Sequence, residues 1–263
     1  MRREGAPGAG WAGPVSRLSA LVPGSVCADA LGRAWPADVD GQVRCIDEGS
    51  RTLGLAFCCV PASGEAADPG SVTAGLVATP GALPVLGVVP GPLSDELLSR
   101  IHRRGGELAG SSAIQDVQEL LDDASDAAVD RLRALGASGV RRIAVVEDTI
   151  APPVGDAAAA ESHRPLLNAA AHLRIDLVLV ASGLDDVASL GYGDWASGRG
   201  CSPGLGFLPK EAFESRSQLE RCLDRLADGS GTAEVISAPL DHAVSADLVR
   251  HASRVLSGED ARP

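Results

Sequence analysis

The apolar positions of this chain switch period several times. Short unbroken apolar runs alternate with stretches where apolar residues recur every three or four positions. Leu53 to Cys59 (closed by Pro61), Val85 to Val89, Ile143 to Val146, Asp176 to Ala181, Leu205 to Leu208 and Glu234 to Ser237 predict buried strands. Shorter extended pieces are predicted at Leu76 to Thr79 and Leu190 to Asp194. Helices are predicted over 26–52, 94–104, 115–135, 157–173, 210–228 and 245–256. The clearest is 115–135, where Val117, Leu120, Leu121, Ala124, Ala128, Leu132 and Leu135 form one stripe opposite acidic residues.

One segment shows the repeating unit well. The run Val85 to Val89 is cut by Pro90-Gly91-Pro92, and Ser94 with Asp95 and Glu96 then opens a helix. Repeated strand-to-helix steps imply a parallel sheet covered on both faces. Seven or eight such strands, with no Gly-rich dinucleotide fingerprint after the first, favour a closed barrel over an open doubly wound sheet. Residues 1–13 read as a loose Gly- and Ala-rich tail, 14–257 as one barrel domain and 258–263 as a short tail.

Composition narrows the choice of partner. The chain has 263 residues, 45% of them apolar, enough for one large core. Its net charge of −12 repels phosphate backbones, and aromatics at 3% offer no stacking platform, so nucleic acid is excluded as an expectation. No apolar run approaches the roughly 20 residues of a membrane span, which predicts no membrane partner. Cys27, Cys45, Cys58, Cys59, Cys201 and Cys222 form no CxxC pair, and Gly and Pro follow Arg2 and Arg3 where a leader would be apolar. Reduced thiols in a cytoplasmic protein are therefore expected.

Candidate chemistry sits at strand ends, because barrel active sites are built there. Glu147 and Asp148 follow one strand, and Asp241 and His242 follow the last; these four are the predicted catalytic residues. Asp194, Tyr192 and Arg199, in the Gly-rich stretch 191–206, are predicted to bind substrate, together with Cys59 at the end of the first strand. Consecutive strand residues face opposite sides, so of Cys58 and Cys59 one points inward and one outward. His163, beside Arg164 and Pro165, reads as a partly exposed helix residue.

Four stretches also carry a resemblance: LGLAFCCVPASGEAADPG (Leu53 to Gly70), LPVLGVVPGPLSDELLSRI (Leu83 to Ile101), ALGASGVRRIAVVEDT (Ala134 to Thr149), and DLVLVASG (Asp176 to Gly183) with ISAPLDHAVSADLVRHASRVL (Ile236 to Leu256). In this order they resemble the uroporphyrinogen decarboxylase family, and within it the branch of corrinoid and coenzyme M methyltransferases. The resemblance implies a (β/α)8 TIM-type barrel, shortened or missing an element because the chain is shorter than is usual there. It implies methyl transfer or decarboxylation of a small carboxylated or methyl-bearing substrate. It also brings a corrinoid or tetrapyrrole as cofactor, and a homodimer or corrinoid-protein partner.

The resemblance also implies a zinc site, from a His-x-Cys pair at one strand end and a later Cys. The matching positions are Val180 and Ser182, with the later one near Pro239-Leu240, and none is a zinc donor. Zinc is therefore not expected. The decarboxylase's Arg-rich motif is absent from 1–30, and Cys58, Cys59 and Val60 stand where its catalytic Asp would be sought. The alternative expectation is a catalytically degenerate barrel serving as a partner subunit or ligand carrier.

Overall fold

A computed structural model describes residues 16–61, 68–94, 113–147, 155–182, 187–227 and 232–259. The elements are β1 (Arg17–Ser19), α1 (Gly24–Ala30), α2 (Val39–Thr52), β2 (Cys58–Pro61), α3 (Pro69–Ala78), β3 (Val85–Pro90), α4 (Ala113–Ala137) and β4 (Arg142–Glu147). Then come α5 (Asp156–Leu173), β5 (Asp176–Ala181), β6 (Asp194–Ser197), β7 (Gly200–Cys201), β8 (Leu205–Leu208), α6 (Arg216–Ala227), β9 (Glu234–Ser237) and α7 (Ala246–Leu256). The result is a mixed α/β fold rich in parallel strands. No helix among the described residues is long and apolar enough to cross a membrane.

The strands form two sheets, ordered β1-β9-β8 and β2-β3-β4-β5-β6-β7. All pairings are parallel except the short β6–β7 hairpin. Among the described residues the ladders do not join into one ring. The sheets are nevertheless tied together. The amide of Ala56, just before β2, donates to Leu18 O of β1 at 2.9 Å. One apolar cluster draws Cys59, Leu86, Val146 and Val180 from the larger sheet against Phe207 and Ile236 of the smaller. Below it Arg142, opening β4, meets Glu234, opening β9, at 2.9 Å. Ser19 Oγ donates to the same Glu234 at 2.6 Å, and the Arg142 guanidinium lies 5.2 Å from the centre of the Phe57 ring.

Strand residues of opposite parity face the helices. Val145, Leu179 and Ile143 pack against Leu121, Leu132 and Leu166 of α4 and α5. Truncating a buried Leu such as Leu166 to Ala removes about 2–5 kcal/mol, so this layer is a large share of the fold's stability. Both sheet faces are thus covered, which is why the strands read as unbroken apolar runs.

Several predicted elements change. The helix over 26–52 is two helices, parted by a turn with Gly32 at φ 63° and by Pro36; Asp38 then caps α2 by accepting from the Gly41 amide at 2.7 Å. Leu53 terminates α2, its amide donating to Gly49 O, so the strand predicted from Leu53 starts only at Cys58. The extended piece at Leu76 to Thr79 is the end of α3, which Asp68 caps and Pro69 opens. Residues 187–190 form a 3-10 turn, and the strand near them is 194–197. The helix over 210–228 breaks at Ser215 into a 3-10 turn and α6. The helix over 94–104, the 1–13 tail and most of 258–263 lie outside the described residues.

Candidate functional site

Glu147 ends β4, but its side chain turns away from the cluster between the sheets. Strand alternation puts it on the side of Val145 and Ile143, under α5. The residue is fully buried. Its Oε1 accepts from the Leu93 amide at 3.1 Å and lies 3.2 Å from Nε2 of His163. That second contact is electrostatic; its alignment falls short of a hydrogen bond. His163 Nδ1 meets the Tyr192 hydroxyl at 2.8 Å, and the two rings pack edge to face with centroids 5.5 Å apart. Burial first, and the Glu147 charge second, push the Tyr192 phenol well above its ordinary range. Gly91 completes the enclosure, since any Cβ there would overlap the Glu147 carboxylate.

His163, expected to be partly exposed, is completely buried. The signal was available in the spacing: Ala159, His163, Leu166 and Ala170 share the buried stripe of α5.

A second group gathers at the exits of β8, β9 and β1. Lys210 follows β8, Asp241 and His242 follow β9, and Ser25 lies in the first turn of α1 after β1. Lys210 Nζ meets Asp241 Oδ2 at 2.8 Å. His242 Nδ1 meets Ser25 Oγ at 2.8 Å. The hydrogen bond from Lys210 holds the Asp241 carboxyl below its ordinary range, helped by the Ala243 amide. The same bond raises Lys210. Both groups are solvent-facing, so they can trade partners at little cost. Lys210 and Ser25 were not predicted; nothing local marks them, because three separate strand exits bring them together.

The remaining predicted residues are dispersed. Asp148 lies outside the described residues. Asp194 opens β6, opposite Val178, and so sits towards the N-terminal ends of the strands. Tyr192 belongs to the helix layer beside Leu166. Arg199 is exposed in the turn after β6, its amide donating to Ser197 Oγ at 3.3 Å. Cys59 faces the cluster between the sheets, where burial first and then Cys27 and Cys58 raise its thiol far above the usual range. Cys58 faces outward towards α2, its Sγ 3.8 Å from Asp47 Oδ1, and is pushed up to about 12 by burial and then by Asp47.

The positions matching the implied zinc site do not fit a metal. Val180 sits in the apolar cluster between the sheets, and the Ser182 amide donates to Glu147 O at 3.0 Å. Among the described residues no three His, Cys, Asp or Glu side chains converge as ligands.

A methyltransferase from Methanosarcina mazei has a similar structure, with a TM-score of 0.61 at 12% identity, over 95% of this chain and 94% of that one. At that identity the likeness is one of fold alone. No protein-family profile matches the chain, and no curated protein matches it.

Proposed function

We propose that residues 14–257 form one divergent (β/α)8-type barrel of the uroporphyrinogen decarboxylase and corrinoid methyltransferase kind, opened along two seams. Joining the two sheets at β1/β2, where the Ala56 amide donates to Leu18 O, and at β6/β8 would put the parallel strands in chain order, β1-β2-β3-β4-β5-β6 and then β8-β9. The apolar cluster shared by the two sheets would then fill the barrel's interior.

The function this arrangement supports best is binding and turnover of a small carboxylated or methyl-bearing molecule at the strand C-termini. The observation that carries it is the convergence of Lys210, Asp241, His242 and Ser25 from three strand exits. Lys210 would exchange Asp241 for a substrate carboxylate. His242, held by Ser25, would take or return a proton, with Arg199 exposed in the turn after β6. Methyl transfer is the chemistry named for the structural neighbour, and it enters here as a proposal. The apolar surroundings of Val180 give a metal no purchase, so the step would rest on proximity and acid–base chemistry by these side chains.

A second proposal is a barrel that has kept its fold and serves as a partner subunit. It is favoured by one feature: the strand-end acid Glu147 is fully buried under a helix, on the sheet face opposite the cluster between the sheets. Calorimetric titration with succinate, glycine betaine and hydroxocobalamin separates the two. Binding of any one that weakens about tenfold in Lys210→Ala, as loss of one charge-assisted contact should give, supports the first. No binding, or binding indifferent to both Lys210→Ala and His242→Ala, supports the second.

A further inference from the structure

We propose that His163 and Tyr192 are positioning residues: from the helix layer they fix the Glu147 carboxylate, and through it the exits of β3, β4 and β5 move as one unit. Glu147 is the junction. Its carboxylate accepts from the Leu93 amide, and its own carbonyl accepts from the Ser182 amide at 3.0 Å. One residue earlier, Val146 O accepts from the Gly91 amide at 2.8 Å. The turn leaving β3 and the residue leaving β5 are therefore both stapled to the last two residues of β4.

A buried carboxylate on a long side chain would not hold such a staple by itself. Burial of the charge is costly, and it is tolerated where polar partners surround it. His163 adds an electrostatic contact from α5, short of a hydrogen bond, with Nε2 3.2 Å from Oε1. Its Nε2 carries the hydrogen, because a bare nitrogen lone pair 3.2 Å from a carboxylate oxygen is repulsive. In the neutral ring Nδ1 is then the acceptor and the Tyr192 hydroxyl the donor, at 2.8 Å. Tyr192 lies between the 3-10 turn and β6, so a fourth strand entry is tied to the same unit. Gly91 is required because the carboxylate occupies the space of its missing Cβ. No ligand enters this inference, so it stands or falls separately from the proposed function.

The test is residue-resolved amide hydrogen exchange on Tyr192→Phe, His163→Leu and His163→Gln, with Leu166→Ala as a same-helix control. In Tyr192→Phe and His163→Leu the Gly91, Leu93 and Ser182 amides should exchange at least about tenfold faster, while Ala238 and Leu240, which follow β9 and donate to Leu208 O and Leu21 O, stay as they were. His163→Gln, which keeps an N–H towards Glu147, should restore protection at Leu93. Leu166→Ala should not single out these three amides. Nitrogen-15 spectra should show His163 with hydrogen on Nε2 and a bare Nδ1. Equal acceleration everywhere, unchanged exchange at residues 91, 93 and 182, or hydrogen on Nδ1 would overturn the proposal. Should His163→Leu not fold, Tyr192→Phe, which removes only one oxygen, decides it.

Discussion

Adding a single methyl group at Gly91 tests the geometry around Glu147. A Cβ at this position would overlap the buried carboxylate, while the Gly91 backbone does not require the left-handed region that would penalise alanine by itself. The cost of Gly91→Ala is thus almost wholly the displacement of Glu147. Overpacking a close-packed site costs about 1–3 kcal/mol. Pulling the carboxylate off the Leu93 amide forfeits a charge-assisted hydrogen bond, about 1.5–3 kcal/mol more. The sum is about 2.5–6 kcal/mol, a large fraction of the 5–15 kcal/mol typical of a folded domain. In urea, with a slope of about 1–3 kcal/mol per molar, the midpoint should fall by at least about 1 M. Glu147→Ala is also destabilising, because it removes the carboxylate to which the Leu93 amide donates, but it removes the obstacle. In that background Gly91→Ala should cost less than about 0.5 kcal/mol, giving a coupling of roughly 2 kcal/mol or more. Circular dichroism during urea titration of the four proteins closes the cycle. Strictly additive effects, or a Gly91→Ala midpoint equal to that of the parent, would refute the placement of the carboxylate.

Three further outcomes are expected. The Cys58 thiol is raised from 9.0 to about 12 by burial, and Cys59 is raised for the same first reason. The folded chain therefore keeps protons that the unfolded chain sheds above pH 9.0, so stability intact below that pH should fall as it rises towards 12, by about 1.4 kcal/mol per pH unit per thiol. Urea midpoints at pH 8, 9 and 10 measure this, and Cys58→Ala should flatten the decline. Arg142→Met should cost about 1–3 kcal/mol, since it leaves the half-buried Glu234 without its cation across the two sheets; a thermal melt unchanged from the parent would contradict that link. Lys210→Ala should alter the melting temperature little, within about 0.5 kcal/mol, because its ion pair with Asp241 is exposed.

Much of the strand and helix order was legible before any coordinates. β5, β8 and β9 end where their apolar runs end, and the stripe of α4 is long enough to be unmistakable. α3 was missed because its ten residues, half of them Gly, Ala or Pro, leave too weak a stripe to compete with a β-branched run at its end. Glu147 shows a deeper limit. Both faces of a parallel sheet are apolar, so alternation separates Val145 from Val146 without saying which of them faces the helices. Only the packing of α5 on β4 decides that Glu147 points outward. Asp194 fell to a shift of a few residues: a strand expected to finish there begins there instead, which moves the carboxylate to the other end of the sheet. Lys210 and Ser25 carry no local mark at all, being joined to Asp241 and His242 by tertiary structure.

The most direct test of the proposed site is amide chemical-shift mapping during titration with succinate and with glycine betaine. Saturable shifts should centre on residues 25, 210, 241 and 242, at the exits of β1, β8 and β9, and should shrink in Lys210→Ala. Shifts gathered instead around Asp194 and the strand starts, or no saturable shift with either compound, would contradict it.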